Sequence, residues 1–432
     1  MTKNIDSTLI LFTGSYPYSS PAPEDSFIDP ELPYLISSFS KVIIIPKTSA
    51  GEEENPRPDI TVETTLAELL KLRPRFHFRI HTLLLVCTSQ FFYKEILKKP
   101  NKTLHISSIW RIIQYLGTAL RVKKWIIQYI EKKNLDVSKI LFYTYWLDEI
   151  TLGLFLATKK YPDIKIISRA HGIDLYEERS PKSYIPFRPE IFNKLNKVFI
   201  ASKDGKSYLS EKYPNYISKF KVATLSIKKS YFITKNSDDD IFRIVSCSFL
   251  VPVKRIELLI NGLKKLGELR PDNQFFWRHI GNGPEEEKLK NLSRTLLPHN
   301  IQYQFMGYLL NEDVLEFYKS NQIDVFINVS QSEGGNPVSI MESQSCGIPV
   351  IASAVGGNKE IVSSENGILL KKNPTATEIA IAIETFLVNK EILLNKKNKS
   401  YENWDYYYNS EKVCPLFVQE LIHILTTSNE SL

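Results

Sequence analysis

The 432-residue chain is 24% charged and 43% hydrophobic with a formal net charge of +7; this excludes a disordered or fibrous protein, and the length suits two α/β domains of about 200 residues each. No apolar run reaches the ~18 residues of a membrane span, and residues 1–7 lack the basic start and apolar core of a signal peptide, so a cytoplasmic protein is expected. Cys87, Cys247, Cys346 and Cys414 lie without C-x-x-C spacing, which predicts reduced thiols and neither a disulfide framework nor a zinc cage. In chain order, apolar runs at 9–14, 41–46, 140–144, 164–168 and 198–201 predict buried parallel strands separated by helical stretches. Residues 212–240 are polar and irregular, and 236–240, Asn-Ser-Asp-Asp-Asp, is the expected hinge. A second series then begins with strands expected at 242–247, 274–280, 301–305, 325–328, 349–352 and 367–370. Ile256, Leu259, Ile260, Leu263 and Leu266 fall on one face of the first helix between them. Two doubly wound α/β domains follow, at 1–230 and 242–400, joined by 231–241 and followed by a helical segment at 401–432 that either ends the second domain or crosses back to the first.

Sheets of this kind bind ligands beyond the carboxyl ends of their strands, so glycine-rich and polar strand exits are the places to seek chemistry. The densest is Ser332-Glu-Gly-Gly-Asn-Pro-Val-Ser-Ile-Met-Glu342. There Gly334 and Gly335 admit close backbone approach, Asn336 is expected to cap, Pro337 suits a first helical turn, and Val338 leads into a helix whose N-terminus accepts an anion. Glu333 in the loop and Glu342 in the helix bracket it as hydroxyl acceptors, one suited to a hexose and the other to a ribose. Lys254 and Arg255, after the first strand of the second series, are two cations able to neutralise a diphosphate in place of a metal ion. Asp238 to Asp240 contain a D-x-D pattern only trivially, and no metal site is expected. Gly281, Asn282 and Gly283, with Gly307 and Tyr308, offer backbone to a nucleotide at two further exits. In the first series, His171 follows a strand and precedes Gly172, where it is placed to meet a sugar, and Gly14 closes the first strand near a diphosphate or acceptor.

These residues resemble the family-4 retaining glycosyltransferases of the GT-B fold, especially those of bacterial surface polysaccharides. The match is specific from about 245 to 370, through Val-Pro-Val-Lys-Arg255, Ile-Gly-Asn-Gly-Pro284, the segment from Glu333 to Glu342, and Gly347-Ile-Pro-Val-Ile-Ala352. The first domain matches more loosely, at Gly14, His171 and Tyr184 to Arg188. The resemblance implies two facing Rossmann-like domains with a cleft between them, the first binding the acceptor and the second the nucleotide sugar. It implies that Glu342 holds the ribose, Glu333 and the backbone after it the donor sugar, Lys254 the diphosphate, and that His171 contacts the transferred sugar. It further implies transfer of a hexose-type sugar from a nucleotide diphosphate donor to a glycan or lipid-linked acceptor, with retention, without a metal or other cofactor. The chain departs from the family pattern in three places. Ser248-Phe249 stands where Gly-Arg is usual, so Arg255 is expected to replace the missing cation; one residue more than usual separates the two glutamates; and Leu225-Ser-Ile227 replaces a Leu-Gly-Val-like turn.

Charge is distributed unevenly: residues 1–235 carry 36 Lys+Arg against 23 Asp+Glu, and residues 236–432 carry 19 against 25. Between 71 and 133 the basic residues Lys71, Arg73, Arg75, Arg79, Lys94, Lys98, Lys99, Lys102, Arg111, Arg121, Lys123, Lys124, Lys132 and Lys133 face only Glu95 and Glu131. With Phe76, Phe78, Phe91, Phe92, Trp110 and Trp125 interleaved, the stretch suits an anionic membrane surface, where each basic residue adds about 1 kcal/mol, or a solvated face over an aromatic core. No nucleic-acid motif is present. Two other function classes compete: a nucleotide-sugar 2-epimerase, for which no matching first-strand loop is found, and a non-catalytic nucleotide-sugar-binding subunit, for which Phe249 in place of arginine is the motive.

Overall fold

A computed structural model describes residues 5–20, 24–53, 57–72, 76–98 and 100–427, and the chain forms two compact units, 1–223 with 414–432, and 224–413. The first unit holds strands β1 (Ile5–Thr13), β2 (Tyr18–Ser20), β3 (Phe39–Pro46), β4 (Ala50–Glu53), β5 (Thr61–Val62), β6 (Ile140–Thr144), β7 (Lys165–Ala170), β8 (Lys197–Ile200) and β9 (Phe220–Val222). Seven of them form a parallel sheet in the order β5-β3-β1-β6-β7-β8-β9, and β2 pairs antiparallel with β4. Period-two alternation divides β1 between two cores: Ile10 and Phe12 pack on one face, Leu9 and Leu11 on the other. The second face is covered in part by the helix Ser410–Thr426, whose Phe417, Val418 and Leu421 are buried there, with Phe417 edge-on to Tyr143 and Phe199. The segment after 400 is thus divided: Trp404 is buried within the helix Lys390–Tyr407 of the second unit, and the next helix belongs to the first.

The second unit holds β10 (Ile241–Cys247), β11 (Gln274–Ile280), β12 (Ile301–Phe305), β13 (Val325–Asn328), β14 (Val350–Ser353) and β15 (Gly367–Leu370). They form one parallel sheet in the order β12-β11-β10-β13-β14-β15. The five apolar residues from Ile256 to Leu266 all bury against it from the helix Ile256–Leu269, each worth about 1.5–3 kcal/mol relative to exposure.

Two expectations change. The units divide at 223/224, not at 231–241, and the polar run before β10 is fastened to the second unit. Ser237 donates to both carboxylate oxygens of Asp324, Asp238 accepts from Gln322, and Asp239 takes a bidentate pair with Arg243. These aspartates are therefore spent on β10 and β13, and hinge composition proved a poor guide because acidic residues also serve as local hydrogen-bond acceptors. The strand β9 also lies inside the stretch expected to be irregular.

Candidate functional site

The order of the second sheet reverses between β10 and β13, so the loops leaving these two strands diverge there and leave an open crevice, the usual ligand position in such sheets. From β10 comes Lys254 and from β13 comes Glu333, and the Lys254 Nζ lies 2.6 Å from the Glu333 Oε1. Burial works to raise the Glu333 carboxyl, but Lys254, with hydrogen bonds from Ser330 and Asn328, outweighs it and holds the carboxyl below its ordinary range. Glu333 is therefore ionised at neutral pH and acts as an acceptor.

The loop after Glu333 is pressed against Gly356 and Gly357. Gly356 has φ +46°, and a Cβ there would meet the Glu333 carbonyl oxygen at 2.1 Å; one on Gly357 would meet the Gly335 carbonyl oxygen at 2.4 Å and the Asn336 Oδ1 at 2.6 Å. Only glycine fits both constraints at 356. The helix Val338–Ser345 then starts with Pro337 in the N-cap place, one position later than expected. Asn336 does not cap it. Its side chain is buried and neither amide atom has a hydrogen-bond partner among the described residues. The helix start thus keeps its unshared N–H groups beside a buried, unmatched amide.

Glu342 is buried on the second turn of this helix and accepts from the Asn311 amide. Sequence reasoning missed Asn311, which opens the helix Asn311–Ser320 after the β12 exit. Its one signal was position, three residues beyond Tyr308, and no spacing rule links it to a residue thirty-one places on. Gly307 and Tyr308 lie at that exit: Gly307 has φ +74° with open space where a Cβ would be, and Tyr308 is exposed.

Gly281 and Gly283 do approach backbone closely, but that backbone is the loop leaving β10. A Cβ on Gly281 would meet the Ser248 carbonyl oxygen at 2.0 Å, and one on Gly283 the Leu250 backbone nitrogen at 2.8 Å. Ser248 N–H donates to Ile280 and Leu250 N–H to the Asn282 carbonyl, so these three residues shape the Lys254 loop. His279, also unforeseen, braces the same loop between Ser246 Oγ at 2.9 Å and the Ser248 carbonyl at 3.1 Å. Burial pushes its pKa down to about 4, so it is neutral at physiological pH.

Arg255 takes a different part from the one expected. It sits in the left-handed region, φ +51°, and its guanidinium donates to the carbonyls of Val329, Ser330 and Lys372 and to the Asn373 side chain. It ties the β10 and β13 exits together and is not offered to a diphosphate. Phe249, at the position where the resemblance leads one to expect arginine, is 53% exposed.

In the first unit the sheet order reverses between β1 and β6. The N–H groups of Gly14, Ser15 and Tyr16 leaving β1 converge on the buried Glu24 carboxylate, which also accepts from the Trp146 indole. Gly14, expected near a diphosphate or acceptor, therefore gives its N–H to an internal anion and has none to offer a diphosphate. His171 follows β7 with its ring 4.9 Å from Tyr145 and 4.7 Å from Trp146. Its Nδ1 is 3.7 Å from the Asp174 Oδ2, an ion-pair distance, and neither ring nitrogen has a hydrogen-bond partner among the described residues. Burial works to raise the Asp174 carboxyl, but His171 and the backbone N–H groups of His171 and Leu147 hold it below its ordinary range. Arg188 fixes this loop from behind by donating to the carbonyls of Leu147 and Asp174. The run Tyr184 to Arg188 is thus a brace beneath His171.

Residues 228–407 match the model of the family described as glycosyl transferases group 1. An uncharacterized glycosyltransferase of Haemophilus influenzae is 30% identical over 36% of this chain and 42% of its own length. The GDP-mannose-dependent monoacylated alpha-(1-6)-phosphatidylinositol monomannoside mannosyltransferase of Corynebacterium glutamicum is 30% identical over 30% of this chain and 34% of its own. The chain thus spans less than half the length of these two relatives. Anabaena HepE, crystallised with UDP and glucose, is similar over 96% of this chain and 99% of its own at 15% identity and a TM-score of 0.63. The two parallel sheets with interleaved helices are those of the GT-B fold.

Proposed function

We propose that the protein moves a hexose-type sugar from a nucleotide diphosphate donor to a glycan or lipid-linked acceptor, with retention and without a metal ion, in the synthesis of a surface polysaccharide. The observation that carries this reading is the Lys254–Glu333 pair at the switch point of the second sheet, beside a helix start with unshared N–H groups. Lys254 and that helix start meet the charge that gathers on the leaving nucleoside diphosphate. Arg255 is left out of this role. Glu333, kept ionised, accepts from hydroxyls of the transferred sugar; Glu342, held by Asn311, accepts from ribose hydroxyls. His171 is assigned to the transferred sugar from the first unit. The departing phosphate oxygen takes the acceptor proton, which removes the need for a second carboxylate as general base. The name of the Corynebacterium relative gives a nucleotide-sugar donor and a lipid acceptor, and the HepE crystals hold UDP and glucose; both support a donor and acceptor of these classes.

Purified protein is to be incubated with UDP-, GDP- and ADP-sugars, each with and without lipid extract and each with and without EDTA. Nucleoside diphosphate release with one donor, a glycosylated product with the donor's anomeric configuration by NMR, and indifference to EDTA are expected. Absence of both release and product across the panel would overturn the enzyme reading.

A further inference from the structure

The helix Phe76–Cys87 has two unlike sides. Thr82 and Val86 face the long helix Ile106–Lys132 at Gly117, where an added Cβ would lie 2.2 Å from the Thr82 methyl and 3.6 Å from Val86. On the other side, Ile80, Leu83, Leu84 and Cys87 recur at helical spacing and are exposed, Leu84 by 63%. The helix Gln90–Lys98 repeats the division. It buries Phe92 and Glu95 and exposes Tyr93 and Leu97, the latter by 77%, and the Tyr93 hydroxyl donates to the Cys87 carbonyl, joining the two helices at this edge. Leu104, Ile106 and Trp110 follow, with Ile106 87% exposed. Among the described residues, a third of the exposed large apolar side chains thus lie between 80 and 110. Leaving so much apolar surface in water is unfavourable, and a face of this kind marks an interaction site.

Charge selects the partner. From 69 to 130 the sequence has one acidic residue, Glu95, and it is buried, accepting from the Tyr184 hydroxyl and the Phe187 N–H. Arg79 and Lys94 are exposed among the apolar residues, with His77, His81 and His105. The face therefore offers cations and apolar groups and no carboxylate among its described residues, which repels basic partners and matches a surface of negative head groups over hydrocarbon. Trp110 and Tyr93 have the mixed apolar and polar character that favours that boundary. No described helix is long and apolar enough to cross a membrane, so the contact lies along the surface.

We infer that the exposed face of residues 77–110 docks on an anionic lipid bilayer. The structure narrows the wider basic stretch to this face. Phe91 and Trp125 pack on the core, Arg121 is buried over the Phe78 ring, and Lys98 pairs with Glu190. Arg73, Arg75, Lys99 and the Phe76 side chain lie outside the described residues. The inference is independent of the sugar-transfer reading, because it concerns binding and not turnover.

Co-sedimentation of the full chain with vesicles of phosphatidylcholine, alone or mixed with phosphatidylglycerol, tests it. The wild type is expected to partition at least tenfold more strongly onto the anionic vesicles and to be released by salt. L84S/L97S/I106S and, separately, R79Q/K94Q are each expected to weaken that partition about tenfold or more, at an unchanged thermal midpoint and unchanged nucleoside diphosphate affinity. Equal binding to both vesicle types, no binding at low salt, or unaltered binding by both variants would overturn it. Self-association lost in L84S/L97S/I106S, with no vesicle binding by the wild type, would overturn it in favour of a second copy of the chain.

Discussion

The two sheets reverse strand order in the same way, yet their switch points are furnished oppositely. In the second unit the polar groups at the reversal come from different strands and hold one another: Lys254 with Glu333, Asn311 with Glu342. In the first unit the N–H groups leaving β1 are already occupied by Glu24, and His171 is held by aromatic faces with its ring nitrogens lacking a hydrogen-bond partner among the described residues. A crevice built from an exchangeable ion pair and an amide–carboxylate bond suits a charged ligand that displaces a partner. One built from rings and a single imidazole suits a neutral, hydroxyl-rich ligand.

Lys254→Ala should give the largest break in this contrast. Transfer is expected to fall by roughly 10² to 10³ in kcat/KM, read as nucleoside diphosphate release, because the leaving group loses its cation. The variant should also be less stable, since the buried Glu333 carboxylate loses its cation and keeps only neutral hydrogen-bond donors, at a cost of about 3 kcal/mol by denaturant titration. His171→Ala should lower turnover by roughly 10²-fold while nucleoside diphosphate affinity, measured by calorimetry, stays at the wild-type value. Equal loss of affinity in both variants would erase the distinction between the units.

Acidification, compared between the wild type and a His279 variant, probes one brace of the second unit. His279 has a folded value of about 4, below its ordinary 6.5. As pH falls, the unfolded chain binds the proton first, so this contribution is complete above about pH 6.5 and is lost between 6.5 and 4, by roughly 3 kcal/mol. His279→Gln should flatten that part of the stability profile. Asn311→Ala is the mildest change. It removes one hydrogen bond to Glu342, and nucleoside diphosphate affinity should weaken about fivefold, the equivalent of about 1 kcal/mol, with kcat unaltered.

Most long strands were legible because parallel strands buried on both faces are written as continuous apolar runs; β11, β12 and β13 begin and end at the expected residues. The short β5 and β9 escaped because two or three residues carry no period. Residues singled out by motif come together, since Lys254, Glu333 and the loop to Val338 meet at one reversal. What they did not reveal was direction. Arg255 follows Lys254 in sequence, but its left-handed backbone turns it to the carbonyls of Val329 and Ser330. The Gly281 and Gly283 pattern read as room for a ligand, whereas the structure fills that room with the neighbouring loop. Asn311 was invisible because its partner lies thirty-one residues away, and only the fold brings them together.

The return of the helix Ser410–Thr426 to the first sheet makes the second unit an insertion in the first. On the ribosome, residues 5–223 emerge first but wait for the whole of 224–413 before the side chains that complete one face of their sheet, Phe417 and Leu421, become available. The unit synthesised first is therefore finished last, and a chain halted anywhere before 414 leaves that apolar face for chaperones to cover.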